Sequence, residues 1–196
     1  MAGSRFELAI EAIDAANSDD PHTIEVRGEV RPKELAHAAL MTEWLARLDP
    51  GADDAQRLAA RAHHLRRWTL PRSSYPEGRT AYLRWRTALK KQHAVDVAAI
   101  LVDVGYDEAT ITRVQGIIRK EGLATDPAVQ THEDALCLVF LETQLAATID
   151  DLGDEKMLEV IRKTAAKMSD RALELVGDLP MRARDRALIS RALGEQ

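Results

Sequence analysis

Apolar residues recur at the spacing of one helix face along almost the whole 196-residue chain. Phe6, Ile10 and Ile13 mark a first helix, and an apolar stripe from Leu35 to Leu48 marks a second. The segment TIEVRGEVRP is β-like at best, and TLPRSSYPEG is a loop because of its prolines, serines and glycine. The pattern therefore predicts an all-α fold of about seven to eight helices. The later helices are expected over residues 55–68, 79–104, 107–120, 126–149, 155–176 and 180–193.

A single cysteine, Cys137, excludes an internal disulfide framework and a cysteine-rich zinc module. This cysteine usage suits the reducing cytoplasm, which is the localisation we expect. The first residues carry acids and no long apolar run, so no signal peptide is expected. No segment approaches the roughly 18 apolar residues that a membrane-spanning helix needs, so no membrane association is expected.

Positive charge is concentrated between Arg61 and Lys91, where nine basic residues face one acid, Glu77. The local charge is +8 in a chain whose net charge is −5. Most of these residues are arginines, whose planar fork suits phosphate and carboxylate groups. The segment indicates either a site for a small, phosphate-containing anion or a solvated basic face neutralised by acids elsewhere. Extended nucleic acid is disfavoured because the acidic remainder would repel it. The candidate anion-binding residues are Arg67, Arg72, Arg79, Arg86 and Lys120.

Ionisable side chains lie on the apolar stripes of three predicted helices: His37, His93 and Asp134. A buried carboxylate is costly unless it is paired or bound to metal. The doublet His63–His64 adds two imidazoles, and imidazoles with a carboxylate on facing helices are how helical domains build metal sites. Each of these residues by itself is more often a hydrogen-bonded core residue, and none of the spacings is a self-sufficient motif. The two other histidines, His22 and His132, are expected in a loop and at a helix start.

The order of these residues resembles the HD superfamily of helical, metal-dependent phosphohydrolases. ELAHAALMTEWLARL, with His37, resembles the helix of the first histidine, and AARAHHLRRW, with His63, resembles the helix of the His-Asp doublet. HAVDVAAILVDVGYDEATITRVQGII, with His93, resembles the segment after the doublet, and HEDALCLVFLE, with Asp134, resembles the final-Asp helix. The resemblance covers about residues 34–145 and implies one HD-like domain over 1–196, with C-terminal helices at 154–194 packed on that core.

Two departures from the HD pattern bear on the metal. His64 stands where the doublet aspartate would be, and Lys120 stands where a second accessory histidine would be. Both substitutions argue against a dinuclear metal centre. We therefore expect either a mononuclear metal site or no metal.

A closer resemblance is to an uncharacterised family of bacterial and fungal proteins, domain of unknown function four-two-zero-two (DUF4202). The matching stretches are RRWTLPRSSYPEGRTAYLRWR, RKEGLATDP, EDALCLVFLE and EKMLEVIRKTAAKMS. They cover most of the chain, but the family name carries no activity.

These resemblances and the residues support a first hypothesis, a metal-dependent hydrolase acting on a phosphorylated or nucleotide-like small molecule. His64, Lys120 and Glu133 are its catalytic candidates, and the divalent metal would be Fe, Mn, Zn or Mg. Two alternatives stay open: a non-catalytic anion or nucleotide sensor on a degenerate HD-like fold, and a non-haem iron oxygenase. A homodimer stays open as well. The candidate metal ligands are His37, His63, His64, His93 and Asp134.

Overall fold

The computed structural model describes residues 3–194 and confirms the all-α prediction. The described part of the chain contains ten α-helices, more than the seven to eight expected, and one short β-hairpin. The hairpin strands are β1 (Thr23–Val26) and β2 (Glu29–Pro32). The helices are α1 (Arg5–Ser18), α2 (Lys33–Leu48), α3 (Asp54–Arg61), α4 (Arg79–Asp103), α5 (Glu108–Arg119), α6 (Pro127–Thr143), α7 (Leu145–Leu152), α8 (Asp154–Ala165), α9 (Asp170–Leu175) and α10 (Ala183–Leu193).

The extra helices arise because two predicted helices are interrupted. The helix expected over 126–149 breaks at Gln144 into α6 and α7, and the helix expected over 155–176 breaks at 166–169 into α8 and α9. At the second break Ser169 caps α9, since its hydroxyl accepts the backbone N–H of Ala172.

The helix predicted over 55–68 is also shorter than expected, since α3 ends at Arg61. Residues 62–66 form turns, and a 3₁₀ turn follows at Arg67–Thr69. The histidine doublet therefore lies in the turn after α3 and not within a regular helix.

The hairpin leads directly into α2, since β2 ends at Pro32 and α2 begins at Lys33. Arg27 and Gly28 both have positive φ, as a two-residue hairpin turn requires, and they join β1 to β2 in antiparallel register. Just before the hairpin, a carboxylate oxygen of Asp20 accepts the backbone N–H of Glu34 at 3.0 Å. This contact holds the first turn of α2, which carries Glu34, against the end of α1.

The buried apolar side chains form two clusters that share α6. One cluster combines residues of α2 with the C-terminal helices α7 to α10, and the other combines α1, α3, α4 and α5. Helix α6 contributes Leu138 to the first cluster and Val129 to the second. Polar residues between these two positions on α6 consequently lie where the clusters meet. None of the described helices is both long and apolar enough to cross a membrane.

Candidate metal and anion site

Two histidines and one glutamate form a compact buried cluster, the Glu34–His37–His64 cluster. Glu34 and His37 lie one turn apart on α2, and His64 reaches them from the turn after α3. The carboxylate Oε2 of Glu34 lies 3.2 Å from Nδ1 of His37 and 3.0 Å from Nδ1 of His64. One ligand atom from each residue lies within 4.8 Å of the other two. This arrangement could hold a divalent metal ion.

The protonation states of the cluster suit metal binding. Burial alone would raise the pKa of Glu34, but its charge interaction and hydrogen bonds with His64 and His37 outweigh burial and lower it. Burial lowers the pKa of His64 to about 3, against the opposing influence of Glu34. Glu34 is consequently anionic and His64 neutral at pH 7, the forms that carboxylate and imidazole ligands adopt.

In the turn after α3, the two histidines of the doublet contact different residues. His64 faces Glu34, whereas Nδ1 of His63 lies 2.8 Å from Nε2 of His132 on α6. Helix α1 holds this turn in place: the Oδ1 of Asn17 accepts the backbone N–H of Arg66, a residue in the left-handed region. The direction of each imidazole thus depends on tertiary contacts of a turn.

An Asn17→Ala variant should lower the free energy of unfolding by about 1–3 kcal/mol, because the fully buried Asn17 amide supplies the acceptor for the backbone N–H of Arg66. Urea denaturation measures this loss. Ser18→Ala is a matched control, since that hydroxyl bonds a carbonyl of its own helix, and it should change stability by less than about 0.5 kcal/mol. Equal stability of the two variants would contradict the assigned role of Asn17.

His93 presents an unpaired nitrogen beside the cluster. Its Nδ1 lies 2.8 Å from the carbonyl oxygen of Leu65, which can only accept, so Nδ1 carries the proton. Burial lowers the pKa of His93 to about 4, so the ring is neutral and Nε2 holds a free lone pair. This Nε2 is buried and has no hydrogen-bond partner among the described residues. The rings of His64 and His93 lie 5.9 Å apart, centre to centre.

A cavity of about 330 Å³ adjoins the doublet and His93. Its walls combine apolar side chains of α4, α6 and α8 with basic residues and a single acid, Glu133, among the described residues that line it. A volume in this range is typical of small-molecule sites. The basic residues that line it are Arg67, Arg86, Lys90, Lys120 and Lys167.

One of these cations is neutralised within the wall. The ammonium of Lys120 forms an ion pair with the carboxylate of Glu133, and both side chains are buried. Burial lowers the pKa of Lys120, and the adjacent Glu133 opposes that shift. Lys120 also has positive φ, a conformation that costs free energy in a residue other than glycine.

Three of the cations have no carboxylate partner in the described part of the chain: Arg86, Lys90 and Lys167. The wall therefore carries excess positive charge and should attract anions.

Three sequence candidates lie outside both the cavity and the Glu34–His37–His64 cluster. The Arg72 guanidinium donates to the carbonyl oxygens of Tyr75 and Pro76 and stabilises the loop before α4, while Arg79 is exposed at the start of α4. Asp134 is buried as predicted, but its carboxylate accepts hydrogen bonds from Ser169 and Gln130. These contacts supply the partners that its burial requires, without a metal.

The remaining candidate residues lie together at the cavity or the cluster, and two residues that were not candidates, Glu34 and His132, lie with them. His63, His64, His93, Arg67, Arg86, Lys120 and Glu133 line the cavity, and His37 lies behind His64. Sequence reasoning missed Glu34, although a Glu-x-x-His spacing on one helix face is a known metal-ligand pattern and could have indicated it. His132 was expected at a helix start, but it lies fully buried within α6 against His63.

The fold and the site define an all-α protein with a buried glutamate–histidine cluster beside a cationic cavity. The model of the family Domain of unknown function (DUF4202) matches residues 7–189, and the chain belongs to that family. The resemblance to DUF4202 is thereby confirmed, while the resemblance to the HD superfamily stays a prediction. No curated protein and no solved structure shows a significant match to the chain.

Proposed function

We propose that the protein is a metal-dependent hydrolase of a phosphorylated small molecule. The observation that carries this proposal is the position of His64, which belongs to the Glu34–His37–His64 cluster and also lines the cationic cavity. A cation held by the cluster would lie at the wall where the anion binds. Three ligand residues fit a mononuclear centre, in keeping with the missing doublet aspartate.

Different residues of the site would have different roles in the reaction. When bound, the metal would lower the pKa of a water molecule and polarise a phosphoryl oxygen. His93 Nε2, with its free lone pair, is placed to accept a proton from a group in the cavity. Lys120 stabilises charge that develops on the phosphoryl group, and Glu133 holds Lys120 in position.

Metal analysis combined with a hydrolysis screen tests this function. The purified protein, loaded separately with Mn, Zn, Fe or Mg, should bind close to one ion per chain and release phosphate from members of a phosphometabolite panel. His22→Asn is a control for metal binding by exposed histidines, because the His22 ring is largely exposed and lies outside the cavity, and it should retain the metal. Absence of bound metal, together with no metal-dependent thermal shift, would overturn the proposal.

A second candidate function is favoured by the ligand set itself. Two histidines and one carboxylate are the ligands of non-haem Fe(II) oxygenases, and the cluster offers this combination. Oxygen consumption by the Fe(II) form without phosphate release would support this oxygenase. Binding of phosphorylated compounds without turnover by any metal form would support the non-catalytic anion sensor.

Neighbouring lysines on α4 give a matched test of anion binding. Lys90 lines the cavity, whereas Lys91 is exposed on a different face of the helix. Lys90→Ala should weaken binding of phosphorylated compounds by roughly tenfold or more, because a charge-assisted contact is lost. Lys91→Ala should bind nearly as the parent protein does. Isothermal titration calorimetry measures both, and equal losses in the two variants would mean that general surface charge attracts the anion.

A further inference from the structure

We propose that the natural ligand is an elongated molecule with two anionic groups, one beside His64 and the second held by Arg86, Lys90 and Lys167. The proposal deepens the proposed function: it rests on that function for the group beside His64, which would be the reacting phosphate. The second group would be a permanent anion that is bound but not transformed.

The length of the cavity supports a ligand with separated ends. Tyr82, Arg86, Lys90 and His93 of α4 all line it, so the cavity follows about three turns of this helix. His93 lies beside His64 at one end, and Tyr82, which is 41% exposed, lies at the other. Arg86 precedes His93 by seven residues, which corresponds to about 10 Å along the helix axis. A ligand with two separated anionic groups can occupy both positions at once.

The cations along the cavity differ in whether a carboxylate neutralises them. Arg67 is near the cluster, since its Nε lies 3.8 Å from Oε1 of Glu34. In contrast, Arg86, Lys90 and Lys167 have no carboxylate partner in the described residues, and the one acid that lines the cavity, Glu133, is already paired with Lys120.

Lys90 experiences electrostatic repulsion from the neighbouring cations. Its pKa is lowered by burial and, in addition, by the neighbouring charges of Lys120, Arg86 and Lys167. Neighbouring cations that repel one another are stabilised by an anion placed among them. A second anionic group of the ligand would be that anion.

Apolar residues complete the wall between α4 and the opposite helices. Leu136 and Phe140 of α6 and Val160 of α8 line the cavity together with Leu89 of α4. These side chains offer no hydrogen bonds, so they suit a carbon-rich segment between the anionic groups. The combined features indicate an organic bis-anion such as a phosphorylated compound with a second phosphate or carboxylate.

A length series of non-hydrolysable bis-anions tests the proposal. The probes are α,ω-alkane bisphosphonates from methylene to octamethylene, each compared with the alkyl monophosphonate of the same length by isothermal titration calorimetry. Bisphosphonates whose ends can span about 10 Å should bind at least roughly tenfold tighter than their monophosphonate partners. The short bisphosphonates should show little of this gain.

Arg86→Ala and Arg84→Ala form the matched pair of variants, because Arg86 lines the cavity and Arg84 is exposed on the same helix. Arg86→Ala should remove most of the gain from the second phosphonate, and Arg84→Ala should keep the gain. The inference is overturned if long bisphosphonates bind no tighter than monophosphonates, or if Arg84→Ala and Arg86→Ala behave alike.

The same titrations separate this inference from the proposed function, since they measure binding with and without added metal and need no turnover. A length-dependent gain in a protein that neither binds metal nor hydrolyses phosphate would support the bis-anion ligand and overturn the hydrolase. Metal-dependent hydrolysis without a length-dependent gain would overturn the bis-anion ligand alone.

Discussion

A Glu34→Gln variant is expected to lose metal affinity by about a hundredfold or more, and metal-dependent hydrolysis with it. The carboxylate is the only anionic member of the Glu34–His37–His64 cluster and contacts both imidazoles. An amide of the same shape keeps the packing but removes the negative charge that a divalent ion requires. Isothermal titration calorimetry with Mn²⁺ and Zn²⁺ measures the loss.

Glu43→Gln is the matched control for this variant. Glu43 lies on the same helix, and its exposed carboxylate pairs with Arg27 on the surface. A surface ion pair contributes at most about 1 kcal/mol, so this variant should bind metal as the parent protein does. Unchanged metal affinity in Glu34→Gln would show that the cluster is a hydrogen-bonded core element and not a metal site.

An Asp134→Ala variant should lower the free energy of unfolding by about 2–4 kcal/mol. The buried carboxylate accepts the backbone N–H of Ser169 at 2.9 Å and its hydroxyl at 2.6 Å, as well as an amide N–H of Gln130. Removing it leaves these donors without an acceptor and loosens the start of α9 from α6. Urea denaturation measures the change.

Asp170→Ala, one residue after Ser169 and exposed, is the control and should change stability by less than about 0.5 kcal/mol. Metal content of the folded Asp134→Ala protein then separates two roles of this residue. Parental metal content with reduced stability is expected from its contacts. Lost metal with unchanged stability would instead favour the ligand role that the HD resemblance implies.

The fold class could be predicted from the sequence because helical periodicity is a local property. The burial of His37, His93 and Asp134 followed in the same way from their apolar faces. The end of α3 could not, because the turn that carries the doublet depends on Asn17, almost fifty residues before it. For the same reason helix periodicity could not predict which residues the rings of His63 and His64 contact.

Partners distant in the chain account for the other differences in the site. Asp134 has the profile of a ligand when only its helix is considered, and its actual partner Ser169 lies 35 residues away in another helix. Local pattern does place basic residues in one segment, but only the tertiary structure separates Arg86, which lines the cavity, from Arg72, which holds a loop.

The contact between His63 and His132 determines which ring nitrogen carries the hydrogen in each imidazole. Burial lowers the pKa of both imidazoles, so both are neutral and the contact contains one shared proton. The Nδ1 of His132 is buried with no partner in the described residues, and a bare acceptor is less costly there than an orphaned N–H. His132 is then the Nε2–H tautomer and donates to Nδ1 of His63. His63 in turn carries its proton on Nε2, so at the cavity it offers an uncharged N–H donor to an anion, while His93 offers a lone pair.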